Sequence, residues 1–251
     1  MVQSAARAAA DELREEILRR PEGDWLGSED EVLQRLGISR PTLRQAARLL
    51  EAEQLLVVKR GLNGGLFTRK PTAEGVAHTA SVFLRSAGTS LLDLSRTQLL
   101  LMTEITRLAA QRRDVGARAG LLEWVRHQDF DRLRHDRRTF ARARVEFSRE
   151  LARVSGSTTL TLFLDVLWEL GSDQSGLFMD DANVEMTIRH WHRVAEAVAE
   201  GDDRRAVNLT RKNAAAVLTW LEDHLGNRRL GQPLAAASGA GLRPRGTRRE
   251  Q

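Results

Sequence analysis

Residues 37 to 68 read GISRPTLRQAARLLEAEQLLVVKRGLNGGLFT, and the side chains able to do chemistry crowd into two places. The first holds Ser39, Arg40, Thr42, Arg44 and Gln45, all close to one helix start. Hydroxyls and free amides at a helix N-terminus hydrogen-bond phosphate oxygens, while a guanidinium neutralises a phosphate or forks onto the O6/N7 edge of guanine. The second holds Lys59, Arg60, Asn63, Gly64 and Gly65, cations beside glycines that let backbone approach a sugar-phosphate strand closely. Ser28 adds a hydroxyl at another helix start. Any one of these arginines alone would be an ordinary solvated charge; the combined pattern points to a polyanion.

These groups need elements to position them. Residues 4 to 19 set Ala6, Ala9, Leu13 and Ile17 on one side at helical spacing. Ser28 followed by Glu31 is a capping box, so a second helix runs from 29 to 36 and stops at Gly37. A third starts at Ser39, tolerates Pro41 in its first turn and continues through Leu50. Val32, Leu33, Leu36, Ile38, Leu43, Ala46, Ala47, Leu49 and Leu50 supply the buried side. Strand character is confined to 55–60 and 65–70, around GLNG. Helix, helix, glycine turn, helix, hairpin is the order of a winged helix-turn-helix with a two-stranded wing, which assigns residues 1–70 to a DNA-binding unit for double-stranded DNA.

Beyond residue 70 the pattern is helical throughout. Helices are predicted at 72–87, 90–113, 116–135, 137–154, 157–171, 181–200 and 203–225, separated by Gly, Ser and Asp clusters, so the fold class is mainly α, with an all-α domain at 71–227. Residues 228–251 hold six arginines against one glutamate amid Gly, Pro and Ser, the composition of a disordered basic tail.

Composition removes other classes. A 251-residue chain with 41% hydrophobic residues can bury a core. Without cysteine there is no disulfide, thiol nucleophile or thiolate metal site, and a cytoplasmic home is expected. The N-terminus, rich in acids and arginines, does not read as a secretory signal, and LLDLSRTQLLLM is broken by Asp93 and Arg96, so no membrane span is expected. A formal charge of +5 suits a polyanionic partner. For catalysis there is no glycine-rich phosphate loop, no HExxH, no nucleophile elbow and no tyrosine. Asp129, Asp131 and Asp136 lie among Arg126, Arg132 and Arg134, the pattern of a solvated, ion-paired face. No catalytic residue and no cofactor are expected.

Residues 8 to 69 resemble the N-terminal domain of the GntR family of bacterial transcription regulators, in turns, caps and basic residues together. The departures are Gly27 where proline is usual, Asp30 where a DNA-contacting arginine often follows the glutamate, Gln45 in place of glutamate, and Gln54 in place of glycine. TEITRLAAQRR, VEFSRELARVSGSTTLTLFL and HWHRVAEAVAEGDDRRAVNLTRKNAAAVL are similar to stretches of the all-α FCD domain of the FadR-type subfamily. That resemblance implies a ligand-responsive regulator, most simply a repressor, binding a palindromic operator as a homodimer. Many such domains hold a metal on one Asp and three His; the matching positions here are Arg144, Ser148, Trp191 and Asn213, a set that implies no metal. The same four, with Gln98 where some relatives use an arginine, are instead candidate effector-binding residues, and a small-molecule effector of the acyl-CoA or related carboxylate class is implied. The alternative readings are a helical enzyme, or a metal-dependent carboxylate sensor, with an accessory DNA-binding module.

Overall fold

The computed structural model describes residues 2–61, 64–171, 180–225 and 229–230. The chain opens with α1 (Val2–Arg19), whose Ala6, Ala9, Ala10, Leu13 and Ile17 are buried at helical spacing. A short strand β1 (Trp25–Gly27) leads to α2 (Glu29–Leu36), which the capping box of Ser28 and Glu31 starts and Gly37, at φ +63°, stops. Then come α3 (Arg40–Ala52), capped by Ser39 with proline in its first turn, and the strands β2 (Leu56–Lys59) and β3 (Gly65–Thr68). Leu13, Ile17, Val32, Ala46 and Leu50 are fully buried in the core that joins the three helices to the sheet.

One expectation is extended here and one corrected. The two-stranded wing forms as β2 and β3, and a third strand, β1, joins it in an antiparallel sheet of order β1-β3-β2. β1 is three residues long and ends in glycine, too short to display an alternating pattern; its pairing with β3 creates it. The Thr68 hydroxyl fastens this edge, donating to the Pro21 carbonyl at 2.6 Å and accepting from the Asp24 amide at 2.8 Å. Leu49, expected inside, is 44% exposed, because neighbouring Leu50 takes the inward position on α3.

The rest is a helical bundle: α4 (Ala73–Ser86), α5 (Leu91–Gln111), α6 (Val115–Arg126), α7 (Phe130–His135), α8 (Arg137–Ser155), α9 (Thr158–Gly171), α10 (Asp181–Glu200) and α11 (Asp203–Leu225). α5 packs against α8, α9 and α11, α10 against α6 and α11, and α4 lies along α9. Ile105, Leu121, Val125, Phe140, Leu151, Leu164 and Val194 are fully buried at its centre. The predicted helix 116–135 is in fact two, since Asp129 accepts from the Arg132 amide at 3.0 Å and caps a new start. Arg229 and Leu230, assigned from sequence to the tail, sit on the bundle instead: Arg229 bridges to Ser90, and the amide of the buried Leu230 donates to Thr89 at 3.0 Å. One apolar side chain with a place in the core outweighs the polar composition around it.

The two parts meet at Gln54, which holds φ +59° without being glycine. Its Oε1 accepts from the Thr72 amide at 3.4 Å and the Thr72 hydroxyl at 3.2 Å, and Thr72 caps α4. A side chain at Gly75 would collide with the Gln54 amide, so glycine there makes room for this link between the end of α3 and the start of the bundle.

Candidate functional site

The N-terminal end of α3 presents Ser39, Arg40, Arg44 and Gln45 to solvent together, as the helical repeat requires. The Ser39 hydroxyl accepts from the Thr42 amide at 3.4 Å and lies 2.8 Å from the Thr42 hydroxyl. Thr42 is 7% exposed, so it sits behind the face and stiffens its cap. The Ser28 hydroxyl is likewise engaged, donating to Glu31 at 2.8 Å and accepting from the Glu31 amide at 3.3 Å. Those bonds hold the exposed Glu31 carboxyl below its usual range, the contact with the Ser28 amide first. Both arginines face acids in the first turn of α2: Arg40 Nη2 donates to Asp30 Oδ1 at 2.7 Å, and Arg44 Nε lies 3.5 Å from Glu29 Oε1.

A groove between α3 and the sheet is lined by Arg44, Arg48, Lys59 and Arg60. Arg48 was missed because sequence reasoning stopped at the first turn and a half, yet it lies one turn beyond Arg44 on the same side. Lys59 and Arg60 are exposed, and the Lys59 ammonium stands 4.4 Å from the centre of the Phe67 ring. The wing glycines answer to local geometry. The Gly64 amide donates to Gly61 at 2.9 Å, and a side chain on Gly65 would strike the Trp25 indole and the Gly27 carbonyl. Asn63 lies outside the described residues.

In the bundle, Gln98, Arg144, Ser148, Trp191 and Asn213 all line one cavity of about 80 Å³. Helical spacing gathers them: Arg144, Phe147 and Ser148 on α8, Thr187, His190 and Trp191 on α10, and Thr210, Asn213 and Val217 on α11 face one another across it. Trp191 stacks between Phe140 and Phe147, with ring centres 6.0 and 5.2 Å away, and forms an apolar wall. The Ser148 hydroxyl donates to the Arg144 carbonyl at 2.9 Å, leaving its oxygen lone pairs to the cavity. Arg144 lies over Trp168 at 5.5 Å from the ring centre, and burial pushes its guanidinium down to about 10. Gln98 Nε2 and Trp168 Nε1, both donors, and Asn213 Oδ1 are buried without a partner. Each is a desolvated polar group that a ligand could satisfy.

Sequence reasoning missed Thr187, His190, Thr210 and Trp168. His190 lines the cavity, and desolvation, helped by Arg193, lowers its imidazole to about 4. A signal was available, since His190 directly precedes Trp191 and lies one turn after Thr187 on the inward face.

The divalent metal of many relatives does not fit this donor set. A guanidinium repels a cation, Trp191 offers no lone pair and is packed between two phenylalanines, and among the described residues no three His, Cys, Asp or Glu side chains converge. The Asp cluster of α7 is also accounted for structurally. Asp129 and Asp136 cap helices, and Asp131 pairs with Arg134 at 2.8 Å. Among the described residues, no helix is long and apolar enough to cross a membrane.

Comparison with known proteins agrees with this geometry. Residues 5–63 match the family model described as bacterial regulatory proteins, gntR family, and residues 93–216 match the FCD domain. A Streptococcus agalactiae GntR structure is similar in fold, with a TM-score of 0.66 and 22% identity over 86% of this chain and 99% of that one. A putative GntR transcriptional regulator from Rhodococcus aligns over 88% of this chain and 98% of its own at 20% identity, with a TM-score of only 0.40. No match was found among curated proteins. With both matched segments in the expected order, one on the winged unit and one on the bundle, the chain belongs to the GntR family and is a ligand-responsive, DNA-binding transcription regulator with an FCD effector domain, not an enzyme.

Proposed function

We propose that the protein is a repressor that binds a palindromic operator as a homodimer and responds to a small anionic metabolite held in the bundle. Arg40, Arg44 and Gln45 read bases and nearby phosphates. Arg48, Lys59, Arg60 and the wing backbone bind phosphate, while Ser28, Ser39 and Thr42 hold the helix starts that present them. One half-site per subunit makes a palindrome the natural target.

The observation that carries the effector reading is the meeting, in one small apolar-walled cavity, of a buried guanidinium with the unpartnered donors of Gln98 and Trp168. A carboxylate or phosphate would accept from all three, and Ser148 and Asn213 would bond a polar group beside it. The volume of about 80 Å³ favours a small anion over the acyl-CoA suggested by sequence, because drug-sized ligands occupy roughly 300–1,000 Å³. The route from cavity to DNA runs through Trp168 on α9, the packing of α9 on α4, and the Thr72–Gln54 link to the end of α3. An effector that prefers one arrangement of these elements changes how the two winged units match the half-site spacing.

The test is selection of bound sequences from a random DNA pool, then titration of small carboxylates and phosphates against the selected operator complex. A palindrome that disappears with Arg44→Ala, released by an anion that fails to act on Arg144→Met, supports the reading. Salt-sensitive binding without sequence preference would refute it.

A further inference from the structure

We infer that Asp30, an acid at a DNA-facing helix start, is a positioning residue for Arg40 and thereby sets sequence discrimination at one base pair of each half-site. The inference rests on the reading of α3 as the helix that enters the groove. Asp30 lies in the first turn of α2 and Arg40 in the first turn of α3, ten residues apart, and the helix-turn-helix brings them to 2.7 Å between Oδ1 and Nη2. Both side chains are largely exposed, 75% for Asp30 and 58% for Arg40, so the pair stands on the surface that DNA would cover.

An acid at this place has a bland explanation, since a carboxylate in a first turn favours the helix dipole. That explanation fits Glu29 and Asp30 equally, and does not require either to bond another helix. Glu29 approaches Arg44 only to 3.5 Å, whereas Asp30 accepts a 2.7 Å hydrogen bond that uses only one of the five guanidinium N–H donors of Arg40. The remaining N–H groups still provide the two-pronged contact that guanine O6 and N7 accept. The carboxylate thus holds the fork at a fixed angle and removes rotamer freedom before DNA arrives. On unrelated DNA the same carboxylate acts the other way: if Arg40 swings to a phosphate, Asp30 is left unpaired beside the negative backbone. Asp30 therefore gives up overall affinity and gains discrimination.

The experiment compares wild type, Asp30→Asn, Asp30→Glu, Arg40→Lys and Arg40→Ala in the full-length protein. Bound sequences are selected from a random pool, affinities for the selected operator and for unrelated DNA are measured over a salt series, and a thermal melt checks each fold. Asp30→Asn is expected to bind unrelated DNA about threefold or more tightly, in line with the loss of one exposed ion pair and one repulsion. It should also relax preference at one base pair per half-site by roughly fivefold or more, the scale of a lost bidentate contact. Arg40→Lys, which keeps the charge without the fork, should relax the same base pair, and Asp30→Glu should restore preference there at least in part. Asp30→Asn with wild-type preference at every position overturns the inference, whatever its overall affinity. Arg40→Ala with wild-type operator binding overturns the reading of α3 itself, which separates the two failures.

Discussion

Arg40 and Arg44 on α3 and Arg144 on α8 carry the same guanidinium in two dielectric settings. On α3 each arginine is largely exposed and faces a surface acid, Asp30 or Glu29. Such pairs are worth about 0–1 kcal/mol in water, so the arginines can trade an acid for a phosphate or a base at little cost. Arg144 stands in the bundle among Phe147, Trp168 and Trp191, where burial alone brings its guanidinium down to about 10. A cation in that setting gains strongly from one well-placed anion. The residue type is thus uninformative until its surroundings are known. On the proposed function, exposure suits the α3 arginines to exchangeable reading of a large polyanion, and burial suits Arg144 to holding a small one.

The comparison breaks first if the α3 arginines are removed together. Arg40→Ala with Arg44→Ala should weaken operator binding by about 2–6 kcal/mol, the sum of two base contacts at about 1–3 kcal/mol each, with an unchanged melting temperature. Fluorescence anisotropy on the selected operator and a thermal melt test both halves of that statement. Arg144→Met should show the opposite pattern. Operator affinity without effector stays near wild type and the melting temperature holds or rises, because an apolar replacement removes a desolvation cost, but thermal stabilisation by the small anion is lost.

His190 extends the contrast to pH. Its imidazole is lowered to about 4, so between about pH 6.5 and 4 the unfolded chain binds a proton that the folded chain refuses. The stability it contributes is therefore complete above about pH 6.5 and is lost as pH falls toward 4, by at most about 3 kcal/mol. His190→Gln should flatten that part of a chemical-denaturation pH series, while Arg40→Ala should leave its shape unchanged. The smallest effect belongs to the cap of α3. Ser39→Ala should cost roughly 0.5–2 kcal/mol of stability in the winged unit and loosen the end of the helix that presents Arg40. Its measure is a parallel loss in denaturation midpoint and operator affinity.

Much of this architecture was legible because the signals were local. Ser28 with Glu31, Gly37, Ser39 and Pro41 act within a few residues of themselves, so the starts and stops of α2 and α3 could be read directly. The inward stripe of α1 and the helices of the bundle followed from a 3.6-residue repeat. What was misread depended on distant partners. β1 exists because β3 lies beside it, Leu230 leaves the tail because the bundle has a place for it, and Asp129 divides a predicted helix by taking an amide that continuous pattern had spoken for.

The same division holds for function. Residue order alone determined that a winged helix-turn-helix precedes a helical domain and that polar and cationic groups gather at the start of α3, and the resemblance to the FCD domain implied that Arg144, Ser148, Trp191 and Asn213 stand where many such domains carry metal ligands. Only the tertiary structure decided which of these groups are already engaged: Thr42 turned inward, Ser28 occupied by Glu31, Arg40 held by Asp30, Gln54 tied to Thr72, and His190 brought into the cavity with Arg144. The physical reason is that hydrogen bonding and desolvation depend on through-space distance and burial, which packing sets between helices far apart in the chain, whereas caps, turns and periodicity act between near neighbours in sequence.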